Sequence, residues 1–273
     1  MNPYIEILRP GNAVMALIAV LLMAIIGHTY NWEIILGAIT VFIATGSGNT
    51  INDYCDYEID KINKPYRPIP SGKIELKTAL YYSLILFIIA IIMGFIISIE
   101  NGVMVIICTI LMIVYAYDFK RRCLIGNITV SLLTSLTFVF GGLITGDVIV
   151  SMLIGLFAFL MTLSREIIKD AEDVEGDLRE HAHTFPIVYG KRNAIIVAVI
   201  LNILTCLLSP ILYILNIFTI SYLVIVLIAD IIFIYSAVLA LKDQSKEKLH
   251  KISTYMKIGM FIAFISFAIG SII

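Results

Sequence analysis

Charged side chains are scarce in this sequence. Only 14% of the 273 residues are Asp, Glu, Lys or Arg, whereas a typical soluble domain carries about a quarter. The chain is instead 60% hydrophobic, and its mean hydropathy is +1.00. The shortage of charge excludes an ordinary soluble domain and indicates an integral membrane protein.

Paired cysteines, a basic excess and a cleavable leader are lacking as well. The four cysteines are scattered without a Cys-x-x-Cys pair, so neither a disulfide framework nor a zinc site is expected. The formal net charge is −1, and no solvated basic domain exists to bind nucleic acid. The first apolar run follows Arg9-Pro10 without a basic leader region or a small-residue cleavage site, so no signal peptide is expected.

Long apolar runs are what the sequence does contain. They mix Ile, Leu, Phe and Gly without strict alternation, which favours helices over an outer-membrane barrel. A spanning helix needs roughly 20 apolar residues, with about 17 tolerated. The sequence therefore predicts an all-α membrane protein with nine transmembrane helices. The predicted spans are 11–27, 33–55, 76–98, 102–118, 124–145, 149–171, 192–214, 217–241 and 253–273.

Lysine and arginine occur at every second connection between these spans. They lie before span 1 and then around the junctions of spans 2 and 3, 4 and 5, 6 and 7, and 8 and 9. The remaining connections carry only acidic or neutral residues. The positive-inside rule then predicts a multi-pass protein of the cell membrane, with the N-terminus and the basic cap loops in the cytoplasm and the C-terminus outside.

An acidic face ends the second predicted span. Its members fall within about 100° of arc on a helix with 3.6 residues per turn. A loop with three prolines follows, and prolines interrupt a helix. The members of this face are Asn52, Asp53, Asp56 and Asp60, and the loop contains Lys64, Arg67 and Lys73. We call the three aspartates the first acidic cluster.

The same spacing returns at the end of the sixth predicted span. Asp170, Asp173 and Asp177, the second acidic cluster, repeat the DxxDxxxD pattern of the first. Basic residues, a proline and a Gly-Lys pair follow each cluster at nearly equal distance. The repeat predicts a single domain, 1–273, built by internal duplication, with helices 2 and 6 carrying the motifs and both halves inserted the same way.

Carboxylates and basic residues together indicate a magnesium–diphosphate site. Two acidic helix faces at the same membrane depth repel each other if they point toward each other. Mg²⁺ relieves that repulsion and also bridges to substrate phosphates. Lysines and arginines would hold the remaining phosphate oxygens. The alternative is that these carboxylates are merely solvated at the membrane surface, which two clusters of matching spacing disfavour. The candidate metal ligands are Asn52, Asp53, Asp56, Asp60, Asp170, Asp173 and Asp177.

At these residues the sequence resembles the UbiA superfamily of intramembrane prenyltransferases. NDYCDYEID fits that family's NDxxDxxxD motif, and KDAEDVEGD fits its second aspartate motif. NKPYRPIPSG resembles the stretch after the first motif, and YAYDFKRR resembles a tyrosine-lysine segment after the fourth helix. The resemblance covers nearly the whole chain, because nine helices are also the family's number.

The resemblance implies a transferase that binds a polyprenyl diphosphate through Mg²⁺. The isoprenoid tail would lie in a central apolar chamber, and ionisation of the donor would leave an allylic cation that an acceptor attacks. Tyr115 or Tyr117 would offer a π face to that cation. The implied catalytic residues are Asp56, Asp173, Arg67, Tyr115, Tyr117 and Lys120. The implied substrate-binding residues are Arg9, Asn12, Asn52, Lys64, Arg67, Lys120, Arg121, Arg122 and Lys169.

The acceptor is less constrained by the sequence. The opening ILRPGNAVMALIAV resembles the archaeal ether-lipid branch of the family. In that branch the acceptor is a lipid phosphate, geranylgeranylglyceryl phosphate, and its free hydroxyl receives the prenyl group. An aromatic acceptor in quinone synthesis stays open. A lipid or ion transporter is an alternative of another class, disfavoured because the acidic residues lie at one face rather than at mid-membrane.

One acidic residue, Asp230, lies inside the eighth predicted span. An acid at such a depth is a functional candidate by default. We favour a carboxyl group hydrogen-bonded to Ser or Tyr on a neighbouring helix, because Asp230 is far from the cytoplasmic edge. The oligomeric state and the prenyl chain length do not follow from the sequence.

Overall fold

The computed structural model describes residues 2–179 and 182–272, and these residues contain helices and turns but no strand. A short 3-10 turn, Phe119–Arg121, follows the sixth helix. In chain order the helices are α1 (Pro3–Glu6), α2 (Pro10–Ile26), α3 (Trp32–Cys55), α4 (Tyr57–Asn63), α5 (Leu76–Ile97), α6 (Ile99–Tyr117), α7 (Ile125–Thr145), α8 (Val148–Glu172), α9 (Val174–Arg179), α10 (Phe185–Tyr189), α11 (Lys191–Leu208), α12 (Ile211–Ile214), α13 (Ile220–Lys242) and α14 (Lys246–Ile272).

Within the described residues, eight helical segments are long and apolar enough to cross a bilayer, and α2 is a shorter apolar helix of 17 residues. The segment Lys191–Ile214, which joins α11 and α12, is one of the eight. This arrangement is consistent with the nine predicted spans and confirms the all-α membrane class. The main shift in boundary is at α14, which begins at Lys246 rather than at 253.

The seventh predicted span is not one continuous helix. α11 ends at Leu208, and α12 begins only after Ser209 and Pro210, because proline has no N–H for the helical ladder. The Ser209 hydroxyl donates to the Asp230 carboxylate (2.6 Å), and the Tyr222 hydroxyl donates to the Ser209 carbonyl (2.7 Å). Asp230 is therefore bonded to a serine on a neighbouring segment, as the favoured interpretation of the sequence expected.

Both motif helices are interrupted at the second aspartate of their cluster. α3 ends at Cys55, Asp56 adopts φ −88° and ψ 4°, and α4 begins at the next residue. α8 likewise ends at Glu172, and α9 begins after Asp173. The continuous acidic helix faces assumed from the spacing are therefore each broken by a turn.

Contacts between residues divide the chain into two compact units. The first comprises Met1–Lys120 and Leu136–Ser151, and the second comprises Arg121–Ser135 and Met152–Ile273. Each unit contains one acidic cluster and the helices that support it.

Small side chains let the helices of the first unit approach closely. The Ser47 hydroxyl of α3 donates to the Ser83 carbonyl of α5 (2.6 Å). A Cβ atom added to Gly94 on α5 would lie 3.1 Å from the Gly102 Cα on α6. Close packing and hydrogen bonds of this kind hold helices together in lipid, where burial of apolar surface supplies little drive.

A cap at one end of the first unit joins the N-terminal segment, residues 2–9, to the proline-rich loop. Ile7 is fully buried among Ile69, Ile74 and the start of α5. The Tyr4 and Tyr82 rings meet edge to face with centroids 5.4 Å apart, and the Tyr82 hydroxyl donates to the Tyr4 carbonyl (3.3 Å). The N-terminal segment is thus docked on the loop that follows the first acidic cluster.

The second unit has its core between α8, α11, α13 and α14. Hydrogen bonds from buried side chains join its helices: the Ser164 hydroxyl donates to the Ala198 carbonyl (2.8 Å), and the Asn202 amide donates to the Phe233 carbonyl (3.2 Å). These bonds fix the end of α8, where the second acidic cluster begins.

Candidate active site

The first acidic cluster lies at the junction of α3 and α4. Asp53 and Asp60 are each only 3% exposed, so their charges require partners in the protein. The turn at Asp56 separates these two residues, yet both reach the same guanidinium. Arg67 donates to Asp53 (3.1 Å) and also to Asp60.

Two further cations reach this cluster from distant parts of the chain. Arg9, at the start of α2, donates to Asp53, and Lys120, after α6, donates to Asp56. The Asn52 amide also donates to Asp56 (3.1 Å). Three basic side chains therefore bind three aspartates within the first unit.

The loop that carries Arg67 is stiffened by prolines and by its own hydrogen bonds. The backbone N–H of Ser71 donates to the Arg67 carbonyl (3.0 Å), and the N–H of Ile74 donates to the Pro68 carbonyl (3.1 Å). Pro68 and Ile69 are buried, and Ile69 packs in one cluster with Ile7 of the N-terminal segment. These contacts hold the Arg67 backbone in place while its side chain reaches across the cluster.

Arg9 occupies a tight corner before α2. Its backbone is left-handed, with φ 49° and ψ 67°. Residues other than glycine rarely adopt this conformation. The Asn49 amide of α3 donates to the neighbouring Leu8 carbonyl (2.9 Å), and Leu8 packs against Gly46. Asn49 lies one helical turn before Asp53. The helix that carries this aspartate therefore also holds the backbone next to Arg9, whose side chain binds Asp53.

The second acidic cluster lies at the junction of α8 and α9, and its side chains receive different donors. The Asn127 amide donates to Asp170 (2.8 Å), and the Thr184 hydroxyl donates to Asp177 (3.0 Å). Lys246, at the start of α14, is 3.5 Å from Asp173. Because both side chains of that last pair are more than half exposed, the pair is weak.

Basic residues on α8 itself are directed to a neighbouring glutamate. Arg165 and Lys169 donate to Glu166 at 3.2 and 2.7 Å. His250 of α14 is 2.9 Å from Glu172. The predicted substrate-binding Lys169 therefore has a carboxylate partner on its own helix.

The loop before α7 and the loop after α9 are joined through their backbones. The N–H of His183 donates to the Arg121 carbonyl (2.9 Å), and the Arg121 side chain is exposed. In the same loop, burial raises the pKa of the Cys123 thiol, and the negative charge of Asp170 raises it further.

Other predicted site residues have side chains without a described contact to either acidic cluster. Asn12 and Lys64 have exposed side chains, and within residues 2–179 those side chains make no hydrogen bond or ion pair to the first cluster. Lys64 contacts the cluster through its backbone, because its N–H donates to the Asp60 carbonyl (2.9 Å). Tyr117 is 57% exposed, and Tyr115 is partly buried at the end of the same helix. Their roles stay predictions.

A family model described as the UbiA prenyltransferase family matches residues 13–265. The chain belongs to this family. The predicted membership of the UbiA family is thereby confirmed, and the protein is a membrane prenyltransferase.

Relatives with the same fold cover the whole chain. A digeranylgeranylglyceryl phosphate synthase from Methanosphaera stadtmanae is 73% identical over 272 residues, which is 100% of both chains. A solved structure of a digeranylgeranylglyceryl phosphate synthase in membranes matches with a TM-score of 0.87 and 38% identity, over 99% of this chain and 98% of its own. A UbiA homologue from Archaeoglobus fulgidus, solved with GPP and Mg²⁺ bound, has a TM-score of 0.66 and 15% identity, over 96% and 99% of the two chains.

Four residues that hold or contact the candidate site of this UbiA protein were not expected from the sequence. Asn49, Asn127 and Thr184 are neutral donors that no charge pattern singles out, and Lys246 is one of several lysines near α14. A search for counterparts between the two halves would have found Lys246, because it follows the eighth span as Lys120 follows the fourth.

Proposed function

We propose that this prenyltransferase transfers a geranylgeranyl group from geranylgeranyl diphosphate to the free hydroxyl of geranylgeranylglyceryl phosphate. The observation that carries the donor assignment is the first acidic cluster, where Arg9, Arg67 and Lys120 bind the aspartates. Carboxylates for a metal and basic groups for phosphate oxygens are both present there. The acceptor assignment rests on the full-length relative from M. stadtmanae, which is named as a digeranylgeranylglyceryl phosphate synthase.

The carboxylates of both clusters suit Mg²⁺. Among the described residues, no three His, Cys, Asp or Glu side chains lie close enough together to coordinate a metal ion by themselves. Mg²⁺ does not require one, because it usually keeps several waters and takes one or two carboxylates together with substrate phosphates. We assign the aspartates of both clusters and Asn52 to metal binding. The homologue from A. fulgidus that was solved with GPP and Mg²⁺ supports this choice of metal.

The basic side chains of the first cluster stabilise the leaving group in this proposal. Arg9, Arg67 and Lys120 turn from the aspartates to the phosphate oxygens when the donor binds, because charge-assisted bonds to phosphate replace those to carboxylate. The chemistry that Mg²⁺ supplies when bound is neutralisation of the charge on the diphosphate.

The transfer itself exchanges one carbon–oxygen bond for another. The bond between C1 of the donor and the diphosphate oxygen breaks, and its electron pair leaves with the diphosphate. The acceptor hydroxyl oxygen then bonds to C1, and the hydroxyl proton passes to the departing diphosphate. Tyr115 and Tyr117 are assigned to stabilise the allylic cation through their π faces.

Arg121 and Arg122 are assigned to the single phosphate of the acceptor. Lys120 is bound to Asp56 in the first unit and so belongs with the donor. Arg121 has an exposed side chain, and its backbone is fixed by the bond from His183. We place this chemistry on the cytoplasmic face, as the distribution of lysine and arginine indicates.

Purified protein in lipid nanodiscs tests the assignment. Labelled geranylgeranyl diphosphate should be consumed with Mg²⁺ and geranylgeranylglyceryl phosphate, giving one diether product, and excess chelator should stop the reaction. Product formed only with an aromatic carboxylate would overturn the acceptor. No transfer to either acceptor would overturn the proposed reaction.

A further inference from the structure

A group of lysines that the proposed reaction does not use follows α13. Five lysines and two acidic residues lie between positions 242 and 257, which gives this segment a formal charge of +3 with His250 neutral. Lys246 is 3.5 Å from Asp173 in a weak, exposed pair. The other four lysines have no part in the site described above. They are Lys242, Lys248, Lys251 and Lys257, and all four are exposed.

The start of α14 extends beyond the hydrocarbon core of a bilayer. The helix has 27 residues, which is about 40 Å at about 1.5 Å per residue, whereas the core is about 30 Å thick. All of its charged residues lie at or before Lys257, so the excess length is at its start. Leu249 and Ile252, in the first two turns, are buried in the core of the second unit. These turns are therefore a firmly packed helix that carries its lysines at the level of the lipid headgroups.

Two of these lysines share a helix face with a tyrosine. At about 100° per residue, Lys248, Lys251 and Tyr255 lie within about 60° of arc on α14. The centroid of the Tyr255 ring is 6.0 Å from that of Tyr235 on α13, and Tyr235 is 55% exposed. Ile258, which is also exposed, follows Tyr255 along the helix. We call Lys248, Lys251, Tyr255 and Tyr235 the lysine–tyrosine patch.

The order of side chains along α14 matches the layers of a single lipid molecule. Lysine ammonium groups attract anionic headgroups at the membrane surface. Tyrosine rings lie at the boundary between headgroups and chains, and an exposed isoleucine suits the chains themselves. A lipid beside α14 would therefore meet a charged, an amphipathic and an apolar contact in the order of its own parts.

The stability of α14 does not account for its first lysines. The N-terminal end of a helix carries a partial positive charge, so Lys246 and Lys248 are unfavourable in the first turn. Glu247 accepts from Lys251 (2.8 Å), but both side chains are more than half exposed and the pair contributes little. Lys248 is exposed and forms no ion pair within residues 182–272. An anionic group from outside the protein would offset the unfavourable charge.

We propose that the lysine–tyrosine patch binds the headgroup of an anionic phospholipid of the surrounding bilayer. Lys248 and Lys251 bind the phosphate, the two tyrosine rings lie against the glycerol linkage, and the chains run along Ile258. The patch is a docking surface for bilayer lipid, separate from the acidic clusters. The inference uses neither the acceptor nor the metal of the proposed function.

Native mass spectrometry of the detergent-solubilised full chain tests the proposal. The protein is titrated with phosphatidylglycerol or with phosphatidylcholine of the same chains, and the bound lipids are counted. We expect tighter binding of phosphatidylglycerol. Lys248→Gln combined with Lys251→Gln should lower the affinity for phosphatidylglycerol by roughly tenfold and leave that for phosphatidylcholine unchanged. Lipid that enters the acceptor site is unaffected by these substitutions and is counted equally in both proteins.

Two matched variants separate the patch from charge in general. Lys248→Arg combined with Lys251→Arg should keep the preference for phosphatidylglycerol. Lys61→Gln combined with Lys77→Gln removes two exposed lysines from the first unit and should keep it as well. Equal binding of the two lipids by the unchanged protein would overturn the proposal. So would full phosphatidylglycerol affinity in the Lys248→Gln, Lys251→Gln protein, or an equal loss in the Lys61→Gln, Lys77→Gln protein.

Discussion

Arg67 contacts two aspartates at once, and this geometry gives a direct test of its role. A lysine in its place keeps the charge, but all of its donors lie on one ammonium nitrogen. It therefore cannot span Asp53 and Asp60 as the guanidinium does. We expect Arg67→Lys to lower kcat/KM for the donor by about tenfold to a hundredfold, since every 1.4 kcal/mol is about tenfold. Steady-state kinetics with the donor varied at saturating acceptor measures this.

Lys61 is a suitable control for that variant. It lies near the same cluster but is exposed and binds Glu58 on its own helix (3.0 Å). Lys61→Met should leave both substrates' kinetics unchanged. If Arg67→Lys altered only the KM of the acceptor, the assignment of Arg67 to the donor would be wrong.

Asn49 is expected to act on the donor through Arg9. In Asn49→Leu the Leu8 carbonyl loses its hydrogen bond, and the left-handed corner at Arg9 is no longer held. A hydrogen bond of about 1 kcal/mol corresponds to roughly a fivefold rise in the KM of the donor. The KM of the acceptor should not change, and the two constants are measured in parallel.

Asn193 offers a matched control, because its amide also donates to a backbone carbonyl, that of Tyr189 (2.8 Å), but on an exposed turn. Asn193→Leu should not affect the donor. Equal rises in the donor KM of both variants would show a general loss of structure instead.

The sequence predicted the aspartates, Arg67 and Lys120 because they lie in short local motifs. It did not predict Asn127 or Lys246, which lie 43 and 73 residues from their aspartates. A neutral donor leaves no charge signal, and its distance along the chain is set by helix packing. Asn127 and Lys246 are recognisable only from the structure, where each contacts an aspartate of the second acidic cluster.

At the scale of helices, the bond between Ser209 and Asp230 holds the corner of α11 and α12 against α13. Asp230→Ala removes this bond and leaves the Ser209 hydroxyl only the Cys206 carbonyl (3.0 Å) as an acceptor, and the loss of one hydrogen bond costs about 0.5–1.5 kcal/mol. Asp230→Asn keeps an acceptor oxygen and should cost less. We expect Tm in detergent to fall in that order while transfer per folded molecule is retained.

An Asp230→Asn protein that folded normally but had lost activity would contradict this structural role. It would return Asp230 to the list of functional candidates that an acid inside a membrane span suggests.

The helices themselves were predictable because length and hydropathy determine what can cross a bilayer. The breaks were less predictable. Pro210 provided a local signal within the seventh span, but the turns at Asp56 and Asp173 have neither proline nor glycine at the break. The glycine nearest to the second break, Gly176, lies within α9 and is helical.

At the scale of the whole molecule, the orientation that the basic loops predict can be tested by labelling. In a variant whose four native cysteines are replaced, Ile149→Cys and Lys248→Cys introduce exposed thiols at opposite ends of the spans. An impermeant maleimide added outside cells should label Ile149→Cys but not Lys248→Cys. The opposite result would reverse the proposed orientation, and labelling both only after lysis would disprove an outward loop at 146–148.

The docked N-terminal segment has a practical consequence for protein production. Ile7 is fully buried, and the next two residues are the anchored Leu8 and the guanidinium-bearing Arg9. A purification tag fused directly ahead of Asn2 therefore pulls on the part of the chain that supplies Arg9 to the first cluster. A C-terminal tag avoids that segment, and an inactive preparation with an N-terminal tag should be repeated with the tag removed before the enzyme is judged inactive.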